Sequence, residues 1–205
     1  MMEGFYTLSQ KTISEQTIDK SRFICIGTPV HSLEQINQAM EEIRQDYPNA
    51  RHYVYAYRLH EGNLEKASDD GEPQGTGGRP VLDILKHQNL WNILLVVVRY
   101  FGGVLLGTGG LTRAYGSTAK LVFEGGQLVQ LTLFHQYQLS LTYEWYSSLK
   151  YQFEQRNWRI RDEEFLEVIQ FIISVPETQT DLFLKWLTDF TRNQVKYQDK
   201  GLVWE

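Results

Sequence analysis

Hydrophobic and polar positions along this chain change period several times, and each change marks an element. Positions 12–18 alternate β-forming and polar residues, and 22–30 form a second run ended by turn residues, which predicts two strands. Ser32 with Gln35 three residues on fits a capping box. Leu33, Ile36, Met40, Ile43 and Tyr47 then recur at helical spacing until Pro48 ends the helix. Residues 52–59 return to period two, with Tyr53, Tyr55 and Tyr57 on one face and His52, Val54 and Ala56 on the other. A polar loop is predicted over 61–79, and Pro80 suits the first turn of a short helix. Positions 93–100 are a continuous apolar strand, which implies burial on both faces. A glycine-rich loop then leads into a helix with the apolar face Leu111, Ala114, Tyr115, Thr118, Leu121 and Val122, stopped by Gly125-Gly126.

The remainder has its own rhythm. A strand over 133–143 precedes a helix marked by Trp145, Leu149 and Phe153. Strands over 158–165 and 168–175 surround an acidic turn at Asp162-Glu163-Glu164. Leu182, Phe183, Trp186, Leu187 and Phe190 mark a second helix, and 195–204 closes with a strand. That β-α-β-β-α-β order is the ferredoxin-like pattern. The fold class is therefore α+β, with a domain boundary near 131–134 that separates residues 1–132 from 133–205.

Composition narrows the classes. The 205 residues are 42% hydrophobic and 22% charged, enough apolar surface for folding without staples. Cys25 is the single cysteine, so an intramolecular disulfide and a multi-cysteine zinc site are excluded. The apolar stretch 93–98 is far short of the roughly 20 residues a membrane helix needs. The N-terminal residues also lack the basic region and apolar core of a signal peptide. A soluble, cytoplasmic protein without a membrane partner is expected. Net charge is −5, and neither part is basic: 12 Lys and Arg face 14 Asp and Glu over 1–132, and 8 face 11 over 133–205. That balance argues against tight nucleic-acid binding through counterion release alone, and leaves room for a local basic patch.

The unusual residues concentrate in two loops, 68–80 and 99–110. Gly-Thr-Gly-Gly occurs in both, at 75–78 and 107–110, each time just before a predicted helix. Glycine there permits positive φ and close approach of a ligand, and the free N–H groups of a helix start form an anion site. Candidate ligand-binding residues are Arg99, Tyr100, Gly102, Gly103, Gly107, Thr108, Gly109 and Gly110 from the second loop. Asp69, Asp70, Glu72, Gly75 and Thr76 come from the first, together with His52. Tight turns between packed elements account for the same glycines without a ligand. Neither a P-loop nor the G-x-G-x-x-G dinucleotide spacing is present.

Arg99 ends an apolar strand and needs a partner there, either one of the local acids or a ligand phosphate. Asp-Asp-Gly-Glu-Pro is first a turn sequence, and the histidines lack metal-ligand spacing, so no metal or cofactor is assigned. His52 reads as a hydrogen-bonded core or rim histidine. The tyrosine stripe could stack bases, although packing under a helix is its commoner fate. Arg159 and Arg161 form a small basic edge, read as a solvated face. No Ser-His-Asp set or activated cysteine is present, so no catalytic residue is assigned.

At these motifs the sequence resembles the YigZ/IMPACT family. The resemblance rests on Ala50-Arg51-His52, on Ser68-Asp69-Asp70-Gly71-Glu72-Pro73 with Gly75-Thr76, Gly78 and Pro80, and on Arg99-Tyr100-Phe101-Gly102-Gly103 with Leu105-Leu106-Gly107. Gly109-Gly110-Leu111 and Ala114-Tyr115-Gly116 complete it. It implies a first domain similar to the second domain of ribosomal protein S5, and a ferredoxin-like second domain similar to late domains of elongation factor G. It also implies a translation-linked protein binding RNA or the ribosome, without an established reaction. Behind that reading, the residues leave two alternatives: an enzyme acting on a small phosphorylated ligand, and a scaffold for a protein partner.

Overall fold

The computed structural model describes residues 4–125 and 128–205. The chain divides into two compact units, Phe5–Gln130 and Leu131–Glu205 together with Gly4.

In the first unit, β1 (Gly4–Leu8) precedes a five-stranded sheet built from β2 (Thr12–Ile18), β3 (Ser21–Pro29), β4 (His52–Leu59), β5 (Leu64–Ser68) and β6 (Ile93–Tyr100). The strand order is β2-β3-β6-β4-β5, and every pairing is antiparallel. Helix α1 (Leu33–Asp46) lies on one face, where Ile36, Ala39 and Ile43 pack with Ile24, Ile26, Tyr53, Tyr57, Leu94, Val96 and Val98. On the other face, α2 (Gly78–His87) and α3 (Gly107–Gly125) bury Val81, Leu85, Ala114, Tyr115 and Val122 against Phe23, Cys25, Val54, Ala56, Leu95 and Val97. Central strand β6 is buried on both sides from Ile93 to Arg99, which is why its sequence shows no alternation. The tyrosine stripe of β4 packs under α1, with the Tyr53 hydroxyl donating to the Tyr47 carbonyl at 2.7 Å.

The second unit follows as β7 (Leu128–Leu141), α4 (Tyr143–Gln155), β8 (Arg159–Phe165), β9 (Ile169–Pro176), α5 (Thr180–Thr191) and β10 (Lys196–Trp204). Within it the strands lie in the order β10-β7-β9-β8, all antiparallel. Tyr137, Leu139, Phe171 and Ile173 from the strands meet Leu149, Phe153, Phe183 and Leu187 from the helices. Arg159 and Arg161 are half-exposed and both reach the Glu205 carboxylate, at 3.4 and 2.8 Å.

Strand β1 was not predicted, and the structure differs from the sequence expectations in four further places. The predicted polar loop 61–79 contains strand β5, which pairs with β4 through Leu64↔Leu59 to Ser68↔Tyr55. An edge strand with Glu65 and Lys66 in its middle carries too little apolar signal to stand out. Helix α3 starts at Gly107 rather than after Gly110, so its glycines form the first turn. Asp162-Glu163-Glu164 is not a turn but an irregularity within β8, where the register with β9 shifts and Asp162 takes φ 52°. Strand β7 begins at Leu128, ahead of the expected 133. Gly126, half of the expected helix stop, lies outside the described residues.

Candidate functional site

Strand parity places the first functional side chain. On β6 the residues Ile93, Leu95 and Val97 face α2 and α3, and Arg99 continues that row at the strand's end. Its cross-strand partners are Phe23 on β3 and His52 on β4. Arg99 is 5% exposed, so its charge requires a partner. Glu72 supplies it from the loop after β5: its Oε1 accepts from Arg99 Nη1 at 2.6 Å and from the Tyr115 hydroxyl of α3 at 2.7 Å. His52 Nε2 lies 3.7 Å from the same oxygen. Burial, and then the bond to Glu72, pushes the Tyr115 phenol well above its ordinary range, so it stays a neutral donor. One buried carboxylate thereby ties both glycine-rich loops to the sheet and to α3.

The surrounding loops are held by specific bonds. Asp19 and Lys20, both at positive φ, make the tight turn between β2 and β3. Ser21 Oγ next to that turn accepts from Gly102 N–H at 3.2 Å. A Cβ on Gly102 would sit 2.0 Å from the Lys20 carbonyl, so the second loop can cross the turn only as glycine. His52 Nδ1 is 2.7 Å from the Asp70 carbonyl, which makes Nδ1 the protonated nitrogen and leaves Nε2 toward Glu72. Asp70 also accepts from Tyr53 N–H through Oδ2.

The two Gly-Thr-Gly-Gly segments end differently. In the first, Asp69 Oδ1 accepts from the N–H groups of Gly77 and Gly78, at 2.9 and 2.8 Å, and Oδ2 accepts from Gly75 N–H at 2.8 Å. Partial burial pulls the Asp69 carboxyl up, but these three donors outweigh it and hold it below the usual carboxylate range. In the second, the first-turn N–H groups of α3 have no intrahelical acceptor by geometry, and its first turn contains no acidic residue. Gly107 takes φ 66° and has nothing within 4 Å of where a Cβ would stand.

That uncapped helix end opens on a cleft of about 450 Å³, lined by Arg51, His52, Glu72, Pro73 and Arg99 on one side and by Phe101, Leu105, Leu106, Gly107, Thr108 and Leu111 on the other. Of the residues singled out in the sequence, His52, Glu72, Arg99, Gly107 and Thr108 therefore meet in one place. Asp69, Gly75 and Thr76 are engaged in the first loop's own bonds. Asp70 holds His52 and Tyr53 from outside the cleft, and Tyr100, Gly102, Gly103, Gly109 and Gly110 are not among its lining. Sequence reasoning missed Leu105, Leu106 and the polar role of Tyr115. The available signal was a pair of leucines inside a glycine-rich loop, and the structure leaves Leu105 88% exposed. Among the described residues no helix is long and apolar enough to cross a membrane.

Comparisons with known proteins agree on one lineage. The model of the Impact N-terminal domain matches residues 19–123, and a domain of unknown function, DUF1949, matches 139–194. The chain is 31% identical to IMPACT family member YvyE of Bacillus subtilis over 205 residues, covering all of this chain and 94% of that one. It is 31% identical to IMPACT family member YigZ of Escherichia coli over 198 residues, 95% of this chain and 97% of that one. A crystal structure described as that of a hypothetical protein superimposes with a TM-score of 0.64 at 29% identity, over 96% and 97% of the two chains. With the signature loops folded around one buried carboxylate and the likeness running the length of the chain, this protein belongs to the IMPACT family.

Proposed function

We propose that this protein is a translation-linked binding protein that engages RNA or the ribosome through the cleft at the start of α3. The observation that carries the reading is the convergence in one cleft of the α3 N-terminus, whose first turn holds no acidic residue, with Arg51, Arg99 and the apolar side chains of Phe101, Leu105, Leu106 and Leu111. The dipole of a 19-residue helix favours anions at that end. The exposed ring of Phe101 offers a face on which an unstacked base can lie. Contact through one such site suits an acidic protein, because it needs no broad basic surface. The element order of the second unit, β-α-β-β-α-β, supports the same reading by analogy with the split βαβ modules of translation factors.

Co-sedimentation with ribosomes and with single-stranded RNA across a salt series tests this. About two neutralised phosphates give a slope near −1.4 in log K against log salt, far shallower than a basic RNA-binding domain shows. Arg51→Glu is the informative variant, since Arg51 is exposed and lines the cleft. Arg99 is a poor choice because it is buried against Glu72. Binding that weakens with salt and with Arg51→Glu supports the reading. Absence of association with either partner at low salt removes it.

A further inference from the structure

We propose that the tip of the β8–β9 hairpin, together with the start of α4, docks a basic protein segment that carries an apolar side chain as its anchor. This surface belongs to the second unit, and the proposal does not depend on the cleft at α3.

The apolar part comes first. A lone exposed hydrophobic side chain is ordinary, whereas a contiguous group marks a contact surface. Leu166, Tyr143 and Phe165 are 67%, 55% and 52% exposed, and none of them belongs to the core of the second unit. They are joined to one another. The Tyr143 hydroxyl donates to the Leu166 carbonyl at 2.9 Å, which ties the start of α4 to the hairpin tip. One helical turn further on, the Tyr146 ring meets Phe165 edge-on, with centroids 5.3 Å apart. The irregularity in β8 produces this corner. Strand β8 is an edge of its sheet, and bulges on an edge bend it and re-aim its side chains. Here the register shift between Arg161 and Glu164 leaves Glu163 bonded to Tyr146 and Lys150 of α4, and sets Phe165 opposite Ile169.

Charge then selects the partner. Each apolar residue has an exposed carboxylate beside it in the chain: Glu144 after Tyr143, Glu164 before Phe165 and Glu167 after Leu166. The ion pairs of the second unit fall elsewhere, at His135–Asp199, at Lys150–Glu163 and between Glu205 and Arg159 or Arg161. Among the described residues these three carboxylates therefore have no cationic partner. They repel nucleic-acid phosphates and anionic lipid, and they attract lysine and arginine. Apolar anchors inside a charged rim are the layout of a protein interface, and a lysine- or arginine-rich segment with one apolar side chain complements both parts.

Fluorescence anisotropy with labelled short peptides tests the proposal on the full chain. One peptide alternates lysine with leucine, a second has serine for every leucine, and a third has glutamate for every lysine. The lysine–leucine peptide is expected to bind at least tenfold tighter than either of the others. Two variants locate the contact: Leu166→Ser removes the apolar site, and Glu164→Lys combined with Glu167→Lys reverses the rim. All three side chains are exposed, so both variants should keep the wild-type melting temperature. Each should weaken the lysine–leucine peptide tenfold or more, and its NMR amide shifts on the wild-type chain should gather at 143–146 and 162–168. Failure of that peptide to bind, binding unchanged in both variants, or shifts gathered elsewhere would overturn the proposal. So would equal binding of the lysine–serine peptide, which reduces the contact to charge alone. A dimer seen by light scattering and abolished by Leu166→Ser would assign the surface to a second copy and remove the basic partner.

Discussion

The same four residues, Gly-Thr-Gly-Gly, lead into α2 at Gly78 and form the first turn of α3 from Gly107, and the two helix starts are built for opposite ends. Both begin with a glycine at positive φ, 76° at Gly75 and 66° at Gly107. At 75–78 the chain provides its own anion, Asp69, and packs the last glycine so tightly that a Cβ on Gly78 would lie 2.7 Å from the Ser68 backbone. At 107–110 the first turn itself holds no acidic residue, and Gly107 lines a cleft. The motif thus specifies a way of entering a helix, and the neighbouring residues decide whether the helix start is closed or available.

Glu72 links the two loops, so removing its charge has the largest effect. Glu72→Gln leaves Arg99 buried with a neutral partner, and a loss of about 3–5 kcal/mol in urea denaturation is expected. A loss below about 1 kcal/mol would mean the loops are not held through this pair. Gly78→Ala comes next, at about 1–3 kcal/mol, because the added methyl meets backbone that cannot yield as a side-chain tip would.

Asp69→Ala should cost about 1–2 kcal/mol as a lost cap. It should also open α2 to external anions, so sulfate should raise the melting temperature of this variant more than that of wild type. A pH series checks the same residue. Because the folded Asp69 sits below its ordinary value, its contribution is present above about pH 4 and fades as pH falls through the folded value. Asp69→Asn should therefore flatten part of the acid limb of the stability profile. Gly109→Ala, by contrast, meets only the end of Arg113 at 3.6 Å and should stabilise α3 by about 0.5–1 kcal/mol in thermal unfolding. Opposite signs at Gly78 and Gly109 would sharpen the contrast, and equal signs would break it.

Much of this arrangement was legible in the residues. The unbroken apolar run of β6 announced a strand covered on both faces, and the charge at its end announced a buried partner. The capping pattern at Ser32 also appears, with Gln35 N–H bonded to Ser32 Oγ at 3.2 Å. In the structure the Gln35 side chain reaches back to His31 N–H rather than to Ser32, a variation that sequence spacing does not distinguish. Which acid would pair with Arg99 was not legible. Asp69, Asp70 and Glu72 are chemically alike, and only the loop's path sends the first to α2, the second to His52 and the third inward. Tyr115 was legible as a core aromatic but not as a donor, since periodicity reports burial and is silent about hydroxyl partners.

The sheet order β2-β3-β6-β4-β5 has a consequence for how the molecule is made. Two hairpins, β2–β3 and β4–β5, emerge first, and the strand that belongs between them comes last. Until Ile93–Tyr100 has been synthesised, β3 and β4 each present an unpaired, apolar edge, with paired residues 35 (Arg58↔Ile93) to 78 (Arg22↔Tyr100) positions apart in the chain. Such non-local closure is slow, and it leaves a nascent chain exposed to mispairing in the interval. A ribosome-attached chain truncated before residue 93 should therefore be a far better chaperone substrate than one released after it.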